Sequence, residues 1–491
     1  MSNTSQQTAA TAYRWRWFAL AALLVAEAMN LLDSTIVQVA APKIHADLGG
    51  SVPDIQWFTS AYTLPFALLL ITGGRLGDIF GRRRVFVVGV AGFALSSLAC
   101  ALAPSVGVLI GFRVVQGAAA AVIIPQTIGL IKTMFQGPEV SKALGSIGPV
   151  MGLAAVLGPV LGGVLTHADL FGSSWRAAFL VNLPLSVGVL LLAPLLVENH
   201  APKRPSLDPL GTLLAMAGIG LVVYPLIEAN NSSMSGLDWA GIAVGLLLLV
   251  GFGLQQRRSA RQGRSPLVEA SLFAHRGFPA ALGTSVLFFA VTTGLMLVVV
   301  LQLQLGLGTD VLTAGLSLVP WSAGLGVASW VAGAYLVSRY GQRVMFAGLV
   351  VLLAGLLAAV AVYHFHSPDT YPTPLLGALA LVGIGHGLFA PSFFTSALHP
   401  VRPQEIGSAA GLLNAVQQLG ATLGIAVLVS VYLHGAHAGG HAAAAHAALA
   451  AFLVGAGLVV ASMLTAALMK EPSAHEQTQP AGAAPVAAEH H

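Results

Sequence analysis

Charged side chains make up only 8% of this 491-residue chain. Soluble domains carry about 25%, so there is too little polar surface here for a water-soluble shell. Cysteine is nearly absent. The single Cys100, set in an apolar run, excludes an internal disulfide framework and a cysteine-based zinc site. No nucleotide-binding glycine loop, nucleophile triad or zinc-ligand spacing occurs, so the chain reads as neither an enzyme nor a pump with its own ATPase. A cleavable signal peptide is not legible either. The chain is polar to Ala12, and Tyr13-Arg14-Trp15-Arg16-Trp17 then leads into a full-length apolar run, as expected of an uncleaved first span with an aromatic and basic anchor.

What is abundant is apolar sequence: 56% hydrophobic residues and a mean hydropathy of +0.82. A helix needs roughly 20 apolar residues to cross a bilayer. Such runs fall near 17–40, 57–76, 85–103, 107–131, 143–166, 177–197, 209–227, 238–255, 278–301, 313–337, 343–363, 374–398, 406–432 and 445–469. With the first loop outside and sides alternating, almost every Lys and Arg lies on one side, and only Lys43 and Arg176 fall on the other. That pattern predicts fourteen spans with both termini cytoplasmic. The fold class expected is all-α integral membrane.

An internal repeat divides the chain. GGRLGDIFGRRR (73–84) closes the second span and GAYLVSRYGQR (333–343) the tenth, with Gly73, Leu76, Gly81 and Arg83 matching Gly333, Leu336, Gly341 and Arg343. The expected organisation is a cytoplasmic N-terminus (1–16), a six-helix bundle (17–200), an inserted helix pair (201–256), a cytoplasmic amphipathic linker (257–277), a second six-helix bundle (278–470) and a disordered cytoplasmic tail (471–491). Repeated halves around a midplane site are a common plan of secondary transporters.

Several stretches together resemble the major facilitator superfamily, in particular its fourteen-span drug:proton antiporter branch. GRLGDIFGRRR resembles the loop 2–3 signature, LIGFRVVQGAAAA (109–121) the fourth-helix motif, and GPVMGLAAVLGPVLGGVL (148–165) the fifth-helix antiporter motif. LLDSTIVQVAAPKI (31–44) and SSWRAAFLVNLPLSVG (173–188) resemble signatures of that branch. The sequence departs from the family where Ile79 replaces the usual Arg after Asp78, and where Ser338 stands in the second-half copy of Asp78.

The resemblance implies roles for particular residues. Gly74, Asp78, Gly81, Arg82 and Arg83 would form a cytoplasmic latch between the halves. Gly158, Pro159, Gly162 and Gly163 would form the antiporter motif, in which Pro159 removes a backbone hydrogen bond and the glycines admit a close neighbour.

Asp33, Glu27 and Arg113 are the expected proton-coupling residues, since ionisable groups inside a membrane are costly and mark a function. Glu27 lies outside the family signature, and attraction of a cationic substrate is equally open to it. At about 100° per residue, Glu27 and Asp33 lie about 120° apart, with Asn30 between them as a polar stair facing a cavity. Glu27, Asn30, Tyr62, Gln116, Trp321, His386, Asn414 and Gln417 are the candidate cavity residues. His386 could equally be a hydrogen-bonded structural histidine, and Trp57 an interfacial anchor. HGAHAGGHAAAAH (434–446) reads as an external loop and not a metal site, having no carboxylate or cysteine nearby.

The expected function is proton-coupled antiport of hydrophobic, cationic or zwitterionic drugs by alternating access, in the cytoplasmic membrane. No cofactor beyond the coupling proton and no nucleic acid is expected, with small molecules and the lipid bilayer as partners and a monomer as the unit. The rivals are a dedicated exporter of one metabolite (an amino acid, siderophore or antibiotic) and a non-transporting membrane sensor.

Overall fold

The computed structural model describes residues 13–169, 172–199, 207–228, 234–262, 267–274, 276–367, 370–402, 405–436 and 439–469. The expected N-terminal segment before Tyr13 and the tail after Met469 lie outside them. Among the described residues fourteen helices are long and apolar enough to cross a membrane. In the first half these are α1 (Arg16–Leu48), α2 (Asp54–Phe80), α3 (Arg82–Ala101), α4 (Val106–Met134), α5 (Lys142–Ala168) and α6 (Ser174–Leu195). The inserted pair is α7 (Pro209–Glu228) and α8 (Gly236–Arg261). The second half comprises α9 (Gly277–Gly306), α10 (Val311–Tyr340), α11 (Gln342–Phe365), α12 (Thr373–Leu398), α13 (Ser408–Ala436) and α14 (His441–Ala467).

The two halves pack in matching ways. Within the first, α2 and α3 lie along α4 and α1 along α5; within the second, α10 and α11 lie along α12 and α9 along α13. Across the seam α2 meets α13 and α5 meets α10, so the second helix of each half touches the fifth of the other. The repeated glycine has a local cause. Gly81 (φ 100°) and Gly341 (φ 51°) both turn the chain between adjacent helices in the left-handed region that side chains avoid.

Polar contacts cross the seam in the half of the molecule away from the Arg82–Arg84 end, called here the basic end. Gln304 Nε2 donates to the Val39 carbonyl at 2.8 Å, the Thr63 and Thr422 hydroxyls meet at 2.8 Å, and His167 Nδ1 lies 3.9 Å from Asp310 Oδ1. The end opposite the basic end, which the expected orientation makes the outer one and which is called the outer end below, is therefore closed.

Helix α7 straddles the seam. Its Glu228 accepts from Trp57 Nε1 at 3.1 Å and its Thr212 hydroxyl meets Thr72 at 3.1 Å, both on α2. Val223 and Ile227 pack with Ala426 and Leu423 of α13. Trp57 is thus an interhelical tie as well as an aromatic near the membrane edge. Only 6% of the most apolar stretch of α8 is buried, which leaves it outermost.

Three expectations are corrected. Helix α1 runs on through Pro42 to Leu48 instead of stopping near Ala40. The segment read as an amphipathic linker begins inside α8, which extends to Arg261, and its later described part holds only a 3₁₀ turn at Ala270–Phe273. The histidine-rich stretch read as a loop is mostly helix, with Ser430–Ala436 before and His441–Ala467 after a short connection. An alanine-rich sequence favours helix, and hydropathy alone misses that.

Candidate functional site

The two charges that stood out in the sequence meet. Arg113 of α4 and Asp33 of α1 form a salt bridge at 2.5 Å with neither side chain exposed. Three further helices complete the setting. Gln116 Nε2 (2.9 Å) and Asn182 Nδ2 of α6 (2.8 Å) both donate to Asp33 Oδ1, and both also donate to the Ser97 hydroxyl of α3, at 2.7 and 3.0 Å. Arg113 also donates to Gln116 Oε1 at 2.7 Å and to the Phe58 carbonyl of α2 at 2.9 Å. Its guanidinium lies 4.4 Å from the Tyr62 ring centre and 5.7 Å from that of Phe179. The Tyr62 hydroxyl in turn donates to Asn30.

This geometry decides several expectations. Arg113 does not snorkel, because it is fully buried. Asp33 and Gln116 do not line an open cavity between the halves; both are at 0% exposure inside the first bundle. Tyr62 is equally buried, and its ring and hydroxyl serve the same network. The carboxylate of Asp33 receives donors on both oxygens, an arrangement that holds a buried charge. Two members of the network were not singled out in the sequence. Asn182 lies within the quoted signature SSWRAAFLVNLPLSVG, so a signal was present; Ser97 carried none.

Glu27 diverges from its stair-mates. It is 9% exposed, the Thr127 side chain of α4 faces it, and no ion pair reaches it among the described residues. It is the carboxylate in α1 without a cation. In the second bundle Trp321 is buried on α10, while His386 of α12 is part-exposed against Phe288 and Phe289. Asn414 is exposed and Gln417 half-exposed on α13. Leu423, which packs toward α7, lies on roughly the opposite side of that helix, so these two amides project to the interior of the molecule.

The latch is corrected. Asp78 pairs with Arg82 of its own motif at 2.6 Å, the Arg83 amide donates to Glu198 at 3.0 Å and the Arg84 guanidinium lies 3.9 Å from the same carboxylate. These partners all belong to the first half, with Gly74 packed near Pro125 of α4. The charge that reaches toward the inserted segment is nearby. Arg75 sits in the field of Asp208, Glu269 and Asp78. Burial works against the charge of Asp208, yet the Gly211 amide and the side chains of Gln256 and Gln255 hold its carboxyl below the usual range.

The fifth-helix motif faces two partners at once. A side chain at Gly158 would strike Thr35 of α1, and one at Gly162 would lie 3.0 Å from the Ile36 carbonyl. A side chain at Gly163 would lie 3.1 Å from the Val311 carbonyl, and one at Gly315 of α10 would lie 2.6 Å from the carbonyl of Pro159. The motif thus seats α5 against its own bundle and against the other half at the closed outer end. Among the described residues no three His, Cys, Asp or Glu side chains group closely enough to hold a metal ion.

The Major Facilitator Superfamily profile matches residues 23–425. A probable actinorhodin transporter of Streptomyces coelicolor is 42% identical over 421 residues, which is 86% of this chain and 73% of that protein. Puromycin resistance protein pur8 of Streptomyces alboniger is 35% identical, covering 85% of this chain and 82% of its own. The tetracenomycin C resistance and export protein of Streptomyces glaucescens is 33% identical, at 86% and 77%. Among solved structures, a bacterial homologue of the human lysosomal transporter Spinster, inward-facing and occupied, superimposes with a TM-score of 0.64 at 17% identity, covering 93% of this chain and 97% of that one. The human organic anion transporter MFSD10 gives 0.56 at 18%, with 93% and 99% covered.

Proposed function

Because the chain belongs to the major facilitator superfamily, we propose that it exports an antibiotic or similar toxic, mainly hydrophobic compound across the cell membrane in exchange for protons. The observation that carries the export reading is similarity along more than four-fifths of the chain to proteins named for antibiotic transport or resistance. Those names each give one compound, which favours a narrow substrate range over a broad one.

Proton coupling is supported by the chemistry of the buried pair. Protonating Asp33 would cancel the charge that Arg113, Gln116 and Asn182 face. Arg113 cannot shed its own proton, so α1 and α4 would have to rearrange around it. A proton would thereby bias which access state is favoured. Glu27, near the middle of the same helix and without a cation, is the second carboxylate in this scheme and would take either a further proton or the positive charge of a substrate. Asn414, Gln417 and His386 would contribute from the other half. The chain would act as a monomer in the cytoplasmic membrane with both termini inside.

Everted vesicles test this directly. Addition of a transported antibiotic to vesicles with an acidified interior should release protons, and the expressing strain should resist that compound. Absence of both across a panel of antibiotics and lipophilic cations overturns the reading.

A further inference from the structure

The inserted pair has no counterpart in either half, and its contacts with the two halves differ in kind. Helix α7 runs antiparallel to α2 and is tied to it by polar contacts at both ends. At the basic end the Thr212 hydroxyl meets that of Thr72 at 3.1 Å, and Arg75 lies in the field of Asp208, just before α7. At the outer end Glu228 accepts from Trp57 Nε1 at 3.1 Å, and Tyr224 packs on the same indole. Thr72 and Trp57 are about 22 Å apart along α2, at about 1.5 Å per residue. Two ties that far apart fix the tilt of α7 on α2 as well as its position.

Toward α13 the contact is apolar and lies near the outer end. Val223 and Ile227 form a buried cluster with Ala426, against which Leu423 packs, and Ala426 falls in the π-helical turn Ile425–Val429. Helix α8 follows α7. A side chain at Gly245 would lie 2.7 Å from the Gly218 carbonyl of α7, and Gln255 and Gln256 donate to Asp208 at 2.9 and 2.7 Å. Thr63 of α2 and Thr422 of α13 meet across the seam at 2.8 Å, so α2 and α13 must part when the outer end opens. Helix α7 cannot keep its place on both. A hydrogen bond is lost once its atoms part beyond about 3.5 Å, whereas apolar burial is non-directional and survives a lateral shift. The contact that gives way is the one with α13.

We propose that α7 is a strap carried by the first half, held to α2 at Thr72 and Trp57 through the transport cycle, while its apolar outer face slides over α13 as the outer end opens. The inserted pair is thereby a moving cover of the α2–α13 seam and not a static spacer between the halves. This rests on the export reading, which supplies the alternation of access.

The test uses the full-length chain in lipid nanodiscs with paired spin labels. Val52, Leu221 and Val427 are exposed toward the outer ends of α2, α7 and α13, and the native Cys100 is fully buried. Val52→Cys, Leu221→Cys and Val427→Cys, taken two at a time, give three distances at acid and at alkaline pH. The Val52–Val427 pair gauges opening. Its long component should recur in Leu221–Val427 in the same proportion, while Leu221–Val52 keeps one short distance. Trp57→Phe removes the donor but keeps a ring beside Tyr224. It should raise the long component of Leu221–Val52 by about two- to tenfold, the range of one neutral hydrogen bond, and Thr72→Val should act in the same direction. A long component in Leu221–Val52 with Leu221–Val427 fixed would make α7 part of the second half and overturn the proposal. So would a Val52–Val427 distance that never lengthens, or a Leu221–Val52 distance indifferent to both substitutions. The expected distances in a protein that moves no antibiotic into vesicles would sink the export reading and leave the strap standing. Antibiotic movement with α7 carried by α13 would do the reverse.

Discussion

At the scale of single residues, the buried pair changes what a standard neutralising substitution should do. Asp33→Asn leaves the Arg113 charge at 0% exposure with its carboxylate gone. Removing one partner of a buried pair costs about 3–5 kcal/mol, so this variant should melt well below the wild type in detergent as well as lose proton-driven export. Asp33→Asn combined with Arg113→Gln should recover much of the melting temperature without recovering transport. A single variant as stable as the wild type would show that the pair is not tight. Glu27 differs because no ion pair depends on it. Glu27→Gln should keep stability and weaken lipophilic monovalent cations more than neutral compounds of the same shape, by about fivefold if a quarter of a 4 kcal/mol attraction is realised. Equal effects on both ligand types would remove Glu27 from cation binding. The sequence exposed Asp33 and Arg113 individually because charge in an apolar run is conspicuous. That they face each other across 80 residues, closed by Ser97 and Asn182, depends on packing that hydropathy does not encode.

At the scale of elements, α2 carries a polar stripe that the hydropathy profile passed over. Gln56, Thr59, Ser60 and Thr63 recur at one helical face. All are buried, and Thr63 meets Thr422 across the seam. The side chains of Gln56, Thr59 and Ser60 have no partner among the described residues, and the same holds for Gln38 Oε1 on α1 and Thr166 Oγ1 on α5. Closure of the outer end thus leaves polar atoms dry that outward opening would hydrate. Replacing such groups by apolar ones of similar shape is neutral or stabilising. Thr59→Val with Ser60→Ala should therefore hold or raise the melting temperature while slowing transport, because the closed state loses a penalty that opening relieves. A lower melting temperature would mean these hydroxyls are satisfied in the closed state. Helix number was legible from apolar runs alone. Helix ends were less so, since Pro42 is accommodated inside α1, and the π-helical turns at Gln302–Gly306, Ala332–Leu336 and Ile425–Val429 left no mark in the sequence.

At the scale of the whole molecule, the repeat near residues 73–84 and 333–343 correctly paired the turns at Gly81 and Gly341. A motif cannot say which half its partner occupies, and so Asp78 was placed in a contact between halves that it does not make here. The contacts that do close the seam were less visible, being made by ordinary residues brought together by the meeting of α5 with α10. Between the outer ends of α1, α5 and α10 lies a cavity of about 490 Å³ lined by Lys43, Thr166, His167, Asp169 and Asp310 among others. His167 and Asp310 bridge the halves there. The Thr313 hydroxyl, and then its amide, hold the Asp310 carboxyl below its usual range, so it stays ionised on mild acidification. Both side chains are about half-exposed, and exposed pairs contribute only about 0.2–1 kcal/mol, so removing this contact should lower the closed population by a factor of at most about five. Spin labels at the far ends of α5 and α10 would report the loss in His167→Ala as a shift toward the long distance. An unchanged distance distribution in that variant would remove His167 from the gate.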